Sequence, residues 1–463
     1  VENYIQYLNS FNDQHNVSLL FGQGAEYNYS DQVSAQGYDA SSDDIKTITG
    51  IATDNQRGSS SISERSRLSF FARASYDFKD RYLLSVNWRM DGSSRFGKDN
   101  RWGHFPSVSA GWIVTKESWF PENVVTDFLK FRASYGVTGS DPASLYATYT
   151  AMTASISNGS QSTTLYNGQN AIAYNYGSTV SSKKLGWEQS IQQNYGVDVH
   201  FLNKRIMATV DYYVRDSENM IYSTELPATT GYTTAQNNMV SVRNTGVELT
   251  LSLDLLPRNS DWMFTVDFNA AKNFNKIKEL PYNNRSVETG ASWMLYTLTV
   301  GRPLYEFKNY VSNGIFSSYD QIPVDPLTGR YLSMCSGWGL NEYYDGSQQL
   351  VEMQPGCTYL QDINGDYIVD MYDKKSNGSP DPALVGGMQA MLRWKNISFS
   401  MYCSYVAGRK FWNGFLSDRL NGGNWGRGGP TGRWGSFSGP AMDFGGLNFW
   451  TKEGEAADLP TLY

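Results

Sequence analysis

The chain has 463 residues, 38 Lys and Arg against 45 Asp and Glu, and a formal net charge of −7; aromatics make up 14% of it and charged residues only 18%. This balance excludes coiled coil, extensive disorder and nucleic-acid binding, because no basic footprint is available for a phosphate backbone. No stretch approaches the roughly 18 apolar residues that a membrane helix needs. A membrane β-barrel stays open, since its strands alternate lipid-facing and lumen-facing residues and average out as polar, as does this chain with its mean hydropathy of −0.47.

The chain opens Val1-Glu2-Asn3 with neither a basic nor an apolar leader, which points to a removed signal peptide or a fragment. From there the dominant signal is period-2 alternation over segments long enough to cross a bilayer at a tilt. Strands are predicted at 2–9, 16–27, 66–78 and 82–91. In the third, Leu68, Phe70, Ala72, Ala74, Tyr76 and Phe78 share one face and Ser69, Arg73, Ser75 and Asp77 the other, with Phe71 the one misfit. Further strands follow at 106–115, 128–138, 187–202, 206–216, 246–255 and 262–275. A pair at 293–300 and 305–313 turns on Gly301-Arg302-Pro303, and strands at 385–394 and 397–407 bring the total to about fourteen.

Connections alternate between short turns, such as Lys79–Arg81 and Asn203–Arg205, and long segments. Sorting all tight turns to one end and all long loops to the other suits a transmembrane antiparallel barrel better than a soluble β-sandwich with Greek-key crossovers. The fold class expected is therefore all-β: residues 1–463 form part of one barrel domain, with long extracellular loops at 29–63, 139–186, 217–244, 317–384 and 408–463. Trp88, Trp112, Trp187, Trp262 and Trp394 fall near strand ends, where interfacial girdles or ordinary packing would place them.

One segment has metal-ligand spacing. Asp362, Asn364, Asp366, Ile368, Asp370 and Asp373 occupy positions 1, 3, 5, 7, 9 and 12 of a calcium loop, which would hold a structural Ca²⁺ or Mg²⁺ through oxygen ligands. Position 6 is Tyr367 rather than Gly, position 12 is Asp rather than Glu, and no helices flank the loop. The alternative is a solvated acidic loop with Asx-turns. Cys335 and Cys357 fall in the same long loop and are candidates for a disulfide, which would stabilise by about 3 kcal/mol in the chain-entropy model. Cys403 shares a face with Ile397, Phe399, Met401 and Tyr405 and is expected to be lipid-facing. His15, His104 and His200 are too scattered for a zinc site. Neither a dinucleotide-binding glycine motif nor a nucleophile elbow is present, so no catalytic residues and no organic cofactor are expected.

Several phrases carry a family resemblance. The run Asp91-Gly-Ser-Ser-Arg-Phe-Gly-Lys-Asp-Asn-Arg-Trp-Gly-His-Phe-Pro-Ser-Val-Ser-Ala-Gly-Trp112 resembles a hairpin signature of the SusC/RagA-like TonB-dependent outer-membrane transporters. Collinear with it are Leu129 to Gly139, Leu185-Gly-Trp-Glu188, Leu226 to Gly231, Val242 to Glu248, Gly301-Arg-Pro303 with Gly314-Ile-Phe316, and Asp362 to Asp366; the opening Asn3 to Phe11 and Asn16 to Gly22 also fit. The resemblance implies a 22-stranded barrel around an N-terminal plug, capped by a SusD-like surface lipoprotein and energised through TonB. Nothing here looks like the plug, the TonB box or the last strands, so the chain is expected to be the middle and later part of the barrel.

The resemblance further implies import of glycans or oligopeptides across the outer membrane of a Gram-negative cell, in contact with outer-membrane lipid, by a dimer of transporter–lipoprotein pairs. Loop aromatics that could stack on sugar rings or peptide side chains are Tyr166, Tyr174, Tyr176, Trp338, Tyr343, Tyr344, Trp425 and Trp434. Packing of the loops or seating of the lipoprotein would use the same residues. The rival readings are a siderophore or cobalamin receptor and a secreted all-β glycan-binding protein.

Overall fold

The computed structural model describes the chain except for residues 43, 45, 122–124, 143–144, 147, 150–151, 155, 158–159, 162, 167–168, 173, 258–259, 292–293, 336–343, 413–447, 449 and 461–463. Two compact units result: Val1–Arg285 with Leu384–Tyr405, and Ser286–Ala383 with Val406–Tyr463.

The first unit is a sheet of twelve long strands in sequence order: β1 (Glu2–Phe11), β2 (His15–Gly37), β3 (Gln56–Phe78), β4 (Tyr82–Ser93), β5 (Trp102–Ile113), β6 (Thr126–Ser140), β7 (Glu188–Phe201), β8 (Ile206–Glu225), β9 (Thr234–Asp254), β10 (Trp262–Glu279), β11 (Leu384–Trp394) and β12 (Ile397–Ala407). The short strand Thr179–Val180 adds to β9 in parallel. Neighbouring long strands are antiparallel where their registers are defined, and the period-2 pattern sets that register: Ala74 faces Val86 and Val86 faces Val108, so apolar side chains line up across strands.

Turns on one end are tight because their central residues take up left-handed backbone. Asn12 and Asp13, Lys79 and Asp80, and Asn203 and Lys204 all have positive φ, and each pair is closed by a hydrogen bond between the flanking residues, Gln14 to Phe11, Arg81 to Phe78 and Arg205 to Leu202. Positive φ at both central positions matches the twist of the flanking strands.

The predicted strand pair at 293–300 and 305–313 is not part of this sheet. β10 pairs directly with β11, so the long strands of the sheet number twelve rather than fourteen among the described residues. Met294–Leu298 and Glu306–Asn309 instead belong to a four-stranded sheet with Val287–Ala291 and Lys375–Ser376 in the second unit. Burial there does not follow the alternation: Leu295 and Leu298, of opposite parity, are both buried, while Val300 is exposed. The segments expected as loops at 29–63 and 217–244 are partly strand, since β2 and β3 stay paired to Gly37↔Gln56 and β8 and β9 to Glu225↔Thr234.

The second unit carries a core of Phe316, Ile322, Leu332, Met353 and Val369, with Tyr310, Tyr331, Met334, Cys357, Tyr359 and Leu360 packed against it. Besides the four-stranded sheet it holds a pair, Ser312–Ile315 with Thr358–Leu360, and a three-stranded sheet of Leu350–Glu352, Ser333–Cys335 and Ile368–Val369. No helix among the described residues is long and apolar enough to cross a membrane, which leaves strand crossing open.

Candidate functional site: the inner wall and its rim

The two faces of the long sheet differ in chemistry. One face exposes Leu84 (45%), Val86 (46%), Val108 (40%) and Val247 (47%) in a continuous apolar surface. Aromatic side chains bound it: Trp112, Trp262 and Trp394 are exposed towards the tight-turn end, with Trp262 and Trp394 stacked at 5.4 Å, and Trp88 and Trp102 lie towards the other. From Trp102 to Trp112 the strand runs about 34 Å, which at a tilt near 40° gives a band about 25 Å tall, the height of a membrane barrel's apolar belt. Cys403, a free and exposed thiol, has the strand parity of Tyr405, whose ring stacks on Phe268.

The opposite face is polar and cross-linked. Arg132 donates to Asp198 at 2.8 and 3.0 Å and to Asp211 at 3.2 Å. Arg243 and Asp216, which make a forked contact, have the strand parity of Val247 and Tyr212 and so belong to the first face, towards its long-loop end, where Lys278 bridges Asp216 and Glu218. Phe71, the misfit of the alternation, is on the polar face. Its ring lies over Gly22, where a Cβ would come within 2.3 Å of it, and the Arg89 guanidinium is 5.9 Å from its centroid. A recess of ≈ 940 Å³ spans seven adjacent strands, from Ser10 on β1 to Asn194 on β7 and including Lys130 and Arg132. A recess that wide means that the sheet curves around its polar face.

At the long-loop end the segment that follows β4 folds onto this polar face. Phe96, fully buried, and Phe105 pack against Trp187 with ring centroids 4.8 and 5.3 Å away. Trp187, a girdle candidate from sequence, therefore points inward. Gly139 makes room for the cluster, because any Cβ there would meet the Phe105 ring at 2.1 Å. Asp141, with its side chain 10% exposed, ties the cluster down: it accepts from Ser93 Oγ at 3.0 Å and pairs with Arg67 at 3.2 Å and Arg95 at 3.3 Å. Residues 183–187 close over the same segment. Asn100 donates to the Lys184 carbonyl at 2.8 Å, Trp187 Nε1 donates to the Arg101 carbonyl at 3.3 Å, and Asn238 exchanges hydrogen bonds with the Gly186 backbone. Three loops thus form one hydrogen-bonded rim.

The sequence-derived site residues are dispersed. Tyr166 ends the strand Thr163–Tyr166, while Tyr174 and Tyr176 bound a strand that pairs with Met152–Ala154. Trp338, Tyr343, Trp425 and Trp434 lie outside the described residues. Tyr344 is in the second unit, its backbone N–H donating to Asp370 Oδ2 at 2.7 Å. Exposed Tyr146 and Tyr149, next to Asp141, and the rim cations Lys98, Arg101, Lys183 and Lys184 were not singled out from sequence. Their signal was position, as charged residues interleaved with Phe96, Leu185 and Trp187.

In the acidic loop the oxygens turn to the backbone. Asp362 accepts from Gly365 and Tyr367, Asn364 from Asp366, Asp366 from Ile368, and Asp370 from Tyr372. Asp373, fully buried, accepts from Ile363, Asn364 and Asp370. Burial holds its carboxyl above the usual range, against the pull of those N–H groups. Tyr367 takes the left-handed φ of 63° that a calcium loop gives to Gly. Among the described residues no three His, Cys, Asp or Glu side chains converge as metal ligands, and the side-chain oxygens of the loop are engaged with backbone N–H groups. The expected Cys335–Cys357 bridge is not formed: Cys357 is a free thiol turned into the apolar core beside Phe316. Cys335 ends the strand Ser333–Cys335.

A family model described as TonB dependent receptor-like, beta-barrel, matches residues 2–372. A TonB-dependent receptor of Formosa agariphila is 28% identical over 436 residues, covering 89% of this chain and 40% of that protein. The TonB-dependent receptor SusC of Bacteroides thetaiotaomicron is 26% identical over 435 residues, covering 90% and 38%. The chain thus spans about two fifths of the length of the curated relatives it matches. Among solved structures, the RagAB peptide transporter superposes with a TM-score of 0.73 at 23% identity, over 99% of this chain and 45% of that one, a likeness of fold.

Proposed function

We infer the function from one premise: this chain belongs to the TonB dependent receptor-like β-barrel family and is an outer-membrane barrel segment similar to SusC and RagA. We propose that the whole protein imports large nutrients, glycans or oligopeptides, together with a SusD-like surface lipoprotein that captures ligand over the rim. TonB, acting on a plug within the barrel, would supply the force, and no bond in the substrate is broken. Two transporter–lipoprotein pairs would make the working assembly.

The observation that carries this is the inversion of the sheet. Its apolar face is exposed in a band of membrane height, while its polar face lines a recess and meets a hydrogen-bonded cluster of loops at one end. A secreted glycan-binding sandwich would cover that apolar face with a second sheet. Relatives named for TonB dependence, and SusC among them, support the coupling.

The test is detergent extraction of the intact protein from its own cells, with an intact mass and peptide coverage of anything that co-purifies, followed by uptake of labelled oligomers with and without a functional TonB. Co-purification of a surface lipoprotein and TonB-dependent uptake are expected. A protein that stays soluble without detergent, or uptake that is indifferent to TonB, would overturn the proposal.

A further inference from the structure

We infer that the rim is a cationic capture site for anionic oligomers: Lys98, Arg101, Lys183 and Lys184 form a fixed positive cluster that recognises carboxylate or sulfate groups on the incoming ligand. All four side chains are exposed, and none makes a hydrogen bond or ion pair among the described residues. They are brought together by backbone contacts. Asn100, between Lys98 and Arg101, donates to the Lys184 carbonyl at 2.8 Å, and a Cβ on Gly97 would stand 2.9 Å from the Lys183 carbonyl. The acids nearby are fewer: Asp99 is exposed, while Glu188 accepts from the Ile221 N–H at 2.8 Å.

Two features separate this cluster from an ordinary solvated face. The chain as a whole is acidic, at −7, and several other cations of the sheet are neutralised, Arg132 on the inner wall by Asp198 and Asp211, and Arg243 and Lys278 on the other face by Asp216 and Glu218. By contrast, the positive charge of the four rim residues has no acidic partner among the described residues. The backbone that carries it is also locked, by Phe96 (0% exposed) beside Lys98 and Leu185 (1% exposed) beside Lys184, so little ordering is left for binding to pay for. One exposed charge pair contributes little, but several like charges focused at an entrance raise local concentration and capture rate.

This inference rests on the import reading, and the test separates the two. Binding to the intact receptor is measured for oligogalacturonate against maltooligosaccharide and for oligoglutamate against a Gly-Ser peptide, at low and high salt, beside TonB-dependent uptake of each. The wild type is expected to prefer one acidic probe over its neutral counterpart by about tenfold at low salt. That preference should vanish at high salt and in Lys98→Glu/Lys183→Glu, and halve its logarithm in Lys98→Gln/Lys183→Gln. Preference for oligogalacturonate assigns the anion to a saccharide, and preference for oligoglutamate to a peptide. TonB-dependent uptake without charge preference overturns the capture site and leaves import standing; no binding and no uptake of any probe overturns both. Loss of a co-purifying lipoprotein in the glutamate variant, with unchanged probe preference, assigns the cations to the partner and also overturns the inference. Heat-modifiable gel mobility verifies that the variants hold a folded barrel.

Discussion

The two units place their apolar side chains in opposite surroundings. In the long sheet Leu84 and Val86 are nearly half exposed while Arg132, Asp198 and Asp211 link side by side on the other face. In the second unit Phe316 and Val369 are fully buried and Leu332 is 1% exposed. Alternation therefore states only that a strand has two unlike faces. Which face meets the apolar phase depends on whether that phase is lipid outside the sheet or a side-chain core beneath it, and each unit owes its stability to a different one.

Substitutions at the apolar faces should separate the two most widely. Phe316→Ala is expected to remove about 3–5 kcal/mol from the second unit by opening a cavity, read as new protease cleavage within residues 286–383 while the barrel keeps its heat-modifiable mobility. Val86→Arg, mid-band on the outer face, should cost about 2–4 kcal/mol in a bilayer, measured by denaturant titration in lipid vesicles, and should leave cleavage of the second unit unchanged. If Val86→Arg proves neutral in lipid, the outer face is not the membrane face and the contrast fails.

Smaller effects sharpen it. Asp373→Asn replaces an acceptor of the Asp370 or Ile363 N–H by an amide donor, and leaving a buried group unpaired should cost the second unit about 1–3 kcal/mol, seen as faster hydrogen exchange over residues 362–373. The smallest effect concerns Asp325, whose carboxyl is held below its usual range by the Thr328 hydroxyl and the Leu327 N–H. A depressed carboxyl adds stability that is present above the unfolded value, about 3.9, and is lost as pH falls through the folded one. Exchange protection of the 325–330 turn should therefore fall in acid, and Asp325→Asn should lack this dependence.

Much of the long sheet is legible in the sequence, because lipid demands an apolar residue at every second position and a tight turn between neighbours. Lys79-Asp80 and Asn203-Lys204 announce those turns. Legibility ends where that demand ends. The outer reaches of β2 and β3, with Ser59, Ser60, Ser61 and Gln32, stay paired without an apolar stripe and so look like loop. Met294–Leu298 alternates as a barrel strand would, yet closes a local sheet. Trp187 is a strand-end aromatic in sequence, and only the space left by Gly139, which admits the Phe105 ring, shows that it belongs inside. For the site, the sequence offered aromatics in long segments, whereas the rim depends on Asp141 reaching three distant partners, a convergence that no local pattern contains.

The pairing of Phe71 with Gly22 bears on clearance. A phenylalanine standing upright on a channel wall would project into the bore and set its narrowest gauge at that height. Laid flat across a residue with no side chain, the ring instead becomes part of the wall itself. Replacing Gly22 with any larger residue would lift the ring off the wall and roughen that stretch of the polar face, without altering a single charge on it.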